Sequence, residues 1–211
     1  MKKVLVLFMV AALATATQAA NISALFTNLD FDSDGVTTPG PFKGFDAPAA
    51  PEIIGWTNYS AASLTDAGVE GPGAWWSPYE TNAGFMSPGD AAYTMSTYTI
   101  QAGDVYNISF YACEWDWDGT LAGQWSATLF YDNPANVIGS YVQGVTGWWT
   151  AYSDATGITA TAASVGGTLG ILLTNTGAGI VQIDEIAVVV PEPATLSLLG
   201  IGAMAMLRKR K

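Results

Sequence analysis

From Tyr93 to Val189 the chain alternates short apolar or period-two runs with turn residues. The pattern predicts strands over 93–99, 105–112, 124–131, 137–142, 158–163, 168–174 and 180–189. Alternate side chains of a strand point the same way. Tyr106, Ile108 and Phe110 therefore share one face, as do Trp125, Ala127, Leu129 and Tyr131. Turns are signalled by Ala102-Gly103-Asp104, Asp118-Gly119, Asp132-Asn133-Pro134, Gly166-Gly167 and the stretch 176–179. Residues 21–28 read as a first strand. Residues 32–90 hold most of the prolines and read as extended loops with one or two strands, and loops of that length often carry binding. Repeated short strands with close turns predict an all-β domain, an antiparallel β-sandwich or barrel.

The two ends depart from this pattern. Met1-Lys2-Lys3 precedes an apolar run over 4–13, and the stretch 14–20 turns small and polar. A basic start, an apolar middle too short for a bilayer and a small-residue exit describe a secretory signal peptide. Cleavage is expected after Ala16, Ala19 or Ala20. At the other end Val190-Pro191-Glu192-Pro193 leads into an apolar segment over 194–207 and four bases, Arg208 to Lys211. That segment reads as a single hydrophobic helix, and its basic end belongs on the cytoplasmic side, leaving the domain outside. The order of parts resembles the PEP-CTERM sorting signal of Gram-negative bacteria, with Pro191, Glu192 and Pro193 as its motif. The resemblance implies recognition by an exosortase, anchoring in the inner membrane before cleavage, and delivery to the cell surface or an extracellular polysaccharide matrix. A plain membrane anchor would keep the same orientation and retain the tail. The chain thus divides into a signal peptide (1–20), a β-sandwich domain (21–190) and a sorting tail (191–211).

Composition removes much chemistry. Between residues 21 and 190 one base, Lys43, faces 17 acids, a balance of 1 − 17 = −16. Nucleic acid and other polyanions are disfavoured, because binding them requires bases to displace their counterions. Calcium, neutral sugars or a salty medium suit such a surface. The chain has no histidine and one cysteine, Cys113. An internal disulfide, a Ser-His or Cys-His nucleophile pair and the usual zinc sites are therefore excluded. Cys113 reads as a small buried hydrophobe.

Three groups of residues could carry function. Asp30, Asp32 and Asp34 with Gly35 look like half of a calcium loop, but position twelve is Pro41, so an EF-hand is absent. The same residues also read as a solvated acidic turn. Glu114-Trp115-Asp116-Trp117-Asp118 would place Trp115 and Trp117 on one strand face and three acids on the other. It also resembles the acidic signature of laminarinase-like glycoside hydrolases, which would use Glu114 and Asp118. The doublets Trp75-Trp76 and Trp148-Trp149 fall in loops, where a flat indole can stack on a sugar ring. Trp56 and Trp125 read as core.

Leu29-Asp30-Phe31-Asp32-Ser33, Trp56, the stretch 101–110 and Ile183-Asp184-Glu185-Ile186-Ala187-Val188 occur in an order that resembles jelly-roll, galactose-binding-like carbohydrate-binding modules. The resemblance implies a jelly-roll sandwich, a structural calcium held by Asp32 and Asp184 with backbone carbonyls, and a glycan ligand. Together these readings point to an exported, non-catalytic surface or matrix protein that binds polysaccharide through Trp75, Trp76, Trp115, Trp117, Trp148 and Trp149. The alternatives are a purely structural, self-associating matrix protein and a small glycosidase.

Overall fold

A computed structural model of the chain describes residues 19–34, 43–44, 53–59, 67–71, 82–114, 122–145 and 147–191. The expected signal peptide and C-terminal helix lie outside the described residues. No helix among those described is long and apolar enough to cross a membrane.

The strands in chain order are β1 (Ala20–Asn21), β2 (Lys43–Gly44), β3 (Thr57–Asn58), β4 (Ala67–Glu70), β5 (Ala83–Met86), β6 (Ala91–Thr99) and β7 (Val105–Glu114). They continue with β8 (Gly123–Tyr131), β9 (Asn133–Val145), β10 (Thr150–Ser153), β11 (Ile158–Thr159), β12 (Thr168–Asn175) and β13 (Val181–Val190). They form two antiparallel sheets. One runs β10-β7-β13-β5-β4-β2, with β1 on β13 and β11 on β7; the other runs β3-β6-β12-β8-β9. The protein is an all-β antiparallel sandwich, as the strand periodicity predicts.

Period-two burial is the reason the sheets stack. Tyr106, Ile108, Phe110 and Ala112 of β7, with Val181, Ile183 and Val188 of β13, face Trp125, Ala127 and Leu129 of β8 and Leu169, Ile171 and Leu173 of β12 across one core. Burying each large aliphatic side chain of such a core contributes about 1.5–3 kcal/mol. Trp56 and Trp125 are both in it.

Local polar chemistry explains where the strands depart from expectation. Residues 21–28 are not one strand. After β1, Asn21 Oδ1 accepts from Ser23 N–H at 3.0 Å, a 3-10 turn covers Ser23–Leu25, and Phe26 makes an isolated bridge to Ser96. The expected strand over 158–163 stops at Thr159, because Thr161 and Ser164 bond to each other through backbone and hydroxyl groups and close a turn. The described residues of 32–90 hold four short strands, where one or two were expected. The strand β10 was not legible as a separate element.

Phe31 anchors the first of these irregular stretches. Its ring lies on Gly84 of β5, where an added Cβ would meet Phe31 Cζ at 2.6 Å, and it stacks on Trp56 with centroids 5.3 Å apart. Trp56 Nε1 donates to Asn28 O at 2.9 Å, and Asn28 Nδ2 donates to Ile54 O at 3.1 Å. The opening loop is thereby fixed to β5, the strand next to β13 in the sheet.

The β6–β7 turn hangs on one carboxylate. Asp104 Oδ2 accepts from Gln101 N–H (2.8 Å), Tyr98 Oη (2.9 Å) and Tyr106 Oη (3.0 Å). Burial, then the hydrogen bond to Asp104, pushes the Tyr98 phenol up to about 12, from an ordinary 10.0. A phenol whose folded value is raised stabilises the fold below the unfolded value and loses that contribution as pH climbs through the folded one. Stability should therefore decline from about pH 10 toward pH 12, as read by chemical denaturation. Asp104→Ala should cost about 2–3 kcal/mol at neutral pH, since it strips a buried phenol and a turn of their acceptor. A loss under 0.5 kcal/mol would remove Asp104 from that role.

Candidate functional site

The β9–β10 loop carries Trp148 and Trp149. Gly147 adopts φ of 60°, a left-handed turn suited to glycine, and its carbonyl accepts from Glu114 N–H at 3.0 Å. Thr150 Oγ1 donates to Trp148 O at 3.0 Å. These bonds hold the loop against the last residue of β7. Trp148 is 74% exposed, the most exposed large hydrophobic among the described residues. Trp149 is half-buried, and its Nε1 is buried with no hydrogen-bond partner among the described residues. The structure thus brings Trp148, Trp149 and Glu114 to one end of the sandwich. Trp75, Trp76, Trp115, Trp117 and Asp118 lie outside the described residues. Glu114 itself is 9% exposed.

A second polar group escaped the sequence reading. On the face of the eight-stranded sheet that points away from the core, Glu70, Cys113 and Gln182 are joined in a directed chain. Cys113 Sγ–H donates to Gln182 Oε1 at 3.0 Å, and Gln182 Nε2 donates to Glu70 Oε2 at 2.7 Å. All three are buried. They come together because β7, β13 and β5 pair in a row, Cys113 opposite Gln182 and Gln182 opposite Phe85, with Glu70 one strand further on. The sequence held one signal: Gln182 and Asp184 at alternate positions, with Glu185 next to them, interrupt an otherwise apolar strand. The partner residues are 69 and 112 positions away in sequence, so pattern alone could not join them. Burial, then the charge of Glu70, pushes the Cys113 thiol up to about 12.

Asp32 lies beside the start of β5, and Asp184 lies at the bulge of β13. Asp32 Oδ1 accepts from Asn82 N–H at 3.0 Å, and Asn82 Nδ2 donates to Phe31 O at 3.2 Å. Gly84 of β5 pairs with Ile183, the residue before Asp184. Asp184 is fully buried and its Oδ1 accepts from Glu185 N–H at 2.7 Å. Glu185 adopts φ of 51° at a bulge in β13, and Asn28 and Phe31 also have positive φ. Nearby lies a cavity of about 290 Å³, lined by Asn21, Ser23, Asn28, Asp30, Ser33 and Glu185 among others. No group of three or more acidic, cysteine or histidine side chains that could hold a metal occurs among the described residues. Calcium takes six to eight oxygen ligands, more than two carboxylates supply.

Comparisons with known proteins give a motif match in the tail and several similar solved structures. Residues 189–211 match the PEP-CTERM protein-sorting motif, which marks the chain as an exported, cell-surface protein. No curated protein matches the chain. Among solved structures, a putative sugar binding protein from Bacteroides thetaiotaomicron VPI-5482 is 14% identical, with a TM-score of 0.49 over 82% of this chain and 100% of that one. A structure titled CBM4 structure and function is 14% identical, TM-score 0.48, over 79% and 99%. The CBM22-1-GH10 modules of Clostridium thermocellum endo-1,4-beta-D-xylanase 10B, complexed with xylohexaose, are 17% identical, TM-score 0.44. The alignment covers 64% of this chain and 26% of the xylanase chain.

The buried thiol makes a direct check of the outward face. In the native protein at pH 8, Cys113 should react with a maleimide at least a hundredfold more slowly than in denaturant, since almost none of it is thiolate and it is shielded. Equal rates would mean that the Cys113–Gln182–Glu70 chain is open to solvent.

Proposed function

We propose that the chain is a non-catalytic surface or matrix protein whose sandwich binds a neutral glycan after exosortase processing near Pro191-Glu192-Pro193 in a Gram-negative host. The exposed indole of Trp148 carries the glycan reading. A flat indole gives a sugar ring apolar area and a negative π face for its C–H bonds. The balance of −16 over residues 21–190 turns the choice of polymer toward a neutral one, because an anionic chain would be repelled. Trp149 belongs to the same platform, and Trp75, Trp76, Trp115 and Trp117 are its proposed extensions. Before processing, the segment 194–207 anchors the chain in the inner membrane with its four terminal bases on the cytoplasmic side.

A structural calcium at Asp32 and Asp184 is part of the proposal. It would neutralise the two carboxylates where the opening loop meets β13. The ion's role is structural, remote from the Trp148 loop. Catalysis through Glu114 and Asp118 is disfavoured by the burial of Glu114, since a glycosidase carboxylate must reach the scissile bond.

A glycan-binding screen of the exported chain, with and without calcium, tests the main reading. Trp148→Ala should weaken binding of a neutral polysaccharide roughly tenfold, about 1.4 kcal/mol, at an unchanged melting temperature. Full binding by that variant would sink the reading. Calcium should raise the melting temperature relative to chelator, and Asp184→Asn should abolish the rise; identical temperatures with calcium and chelator remove the ion. Reducing-sugar release that vanishes in Glu114→Gln would favour the hydrolase instead.

A further inference from the structure

Strand β9 closes one side of the five-stranded sheet and pairs only with β8 among the described residues. No backbone–backbone hydrogen bond outside that pairing involves residues 133–145 among those described; within 139–145 the side chain of Gln143 donates from Nε2 to Gly144 O at 2.8 Å. Other outer strands are stubs: β2 and β3 have 2 residues each and β10 has 4, whereas β9 has 13. Short edges, charges, bulges and prolines are the ordinary defences against pairing with another chain. In β9 these are confined to one end. Pro134 and the register shifts fall near residues 133–137, while 139–145 pairs in unbroken register with 123–129. Ser140, Val142 and Gly144 of that regular stretch are exposed, Val142 at 52%. No residue between Asp132 and Asp154 carries a charge.

We infer that the free edge of β9 over residues 139–145 pairs antiparallel with the same edge of a second copy. Charge selects the occupant. Two copies at −16 each repel over most of their surfaces, and the uncharged edge lets them meet without opposing carboxylates. A basic partner would be drawn to the acidic surfaces and gain nothing here. An antiparallel strand meeting its own copy is a two-fold, self-complementary contact, with the same residues serving both sides. One strand pair covers well under the roughly 1,000 Å² of a free-standing interface. Pairing is therefore lateral, between copies concentrated on one surface, where effective concentration compensates for weak contact. The inference does not rest on glycan binding and does not involve the Trp148 loop.

Cys113 makes the test clean, because it is the sole cysteine and is buried. Full-length Val142→Cys, displayed on cells, is treated with a short bismaleimide beside Val165→Cys, an exposed position in a turn. Val142→Cys should give a band of twice the monomer mass at least fivefold stronger than Val165→Cys. Adding Ser140→Lys, which places like charges across the edge, should remove most of it while leaving the melting temperature within a few degrees. Equal cross-linking at both positions, no cross-linking at Val142→Cys, or a product at the mass of a different protein would each overturn the inference.

Discussion

Strand β13 is the constraint on which the rest of the domain depends. Along one edge it pairs with β7 for most of its length; along the other it pairs first with β5 through 181–183 and then with β1 through 189–190. The change of neighbour is made at the bulge between Asp184 and Ala187, where Glu185 takes a positive φ. Ser23 marks the takeover, its Oγ accepting from Val188 N–H at 2.9 Å. One strand therefore ties the first residues of the fold to the last, and the opening loop with Asp30 and Asp32 is delivered to the bulge as a consequence.

That arrangement has a bearing on sorting. The PEP-CTERM match begins at residue 189, inside β13, and Pro191 follows its last paired residue. Proline cannot donate to a ladder, so the sheet and the sorting motif meet with no spacer between them. The β1 pairing places Ala20 opposite Val190, which brings both ends of the described domain to the same place. The Trp148 loop, set at the Glu114 end of β7, belongs to the opposite end of that strand from Asn107, which pairs with Val189. The Trp148 loop and the sorting end are thus separated by the length of the sheet.

The strands were legible wherever period two and burial coincide, as in 105–112 and 124–131, because a strand with one face in a core must alternate. Legibility failed where side chains compete with the ladder. Asn21 and Ser23 divert the first strand, Thr161 and Ser164 end another, and Asn133 with Pro134 read as a turn although β9 begins there. Trp56 and Trp125 were recognisable as core, and Cys113 as buried, from residue type and neighbours. The Glu70–Gln182–Cys113 chain was invisible because its members meet only through strand order. Asp32 and Asp184 come from a resemblance; Asp32 Oδ1 accepts from Asn82 N–H just before β5, and Asp184 is buried at the bulge of β13. The exposure of Trp148 against the half-burial of its neighbour follows from the Gly147 turn, which no pattern distinguishes within a Trp-Trp pair.

The most direct measurement is an NMR titration of the indole N–H signals of the folded chain with neutral oligosaccharides. A neutral glycan that stacks on the β9–β10 loop should shift the Trp148 signal in a saturable way and leave the buried Trp56 and Trp125 signals in place. A Trp148 signal unmoved at saturating concentrations across neutral glycans, or shifts confined to other tryptophans, would contradict the account.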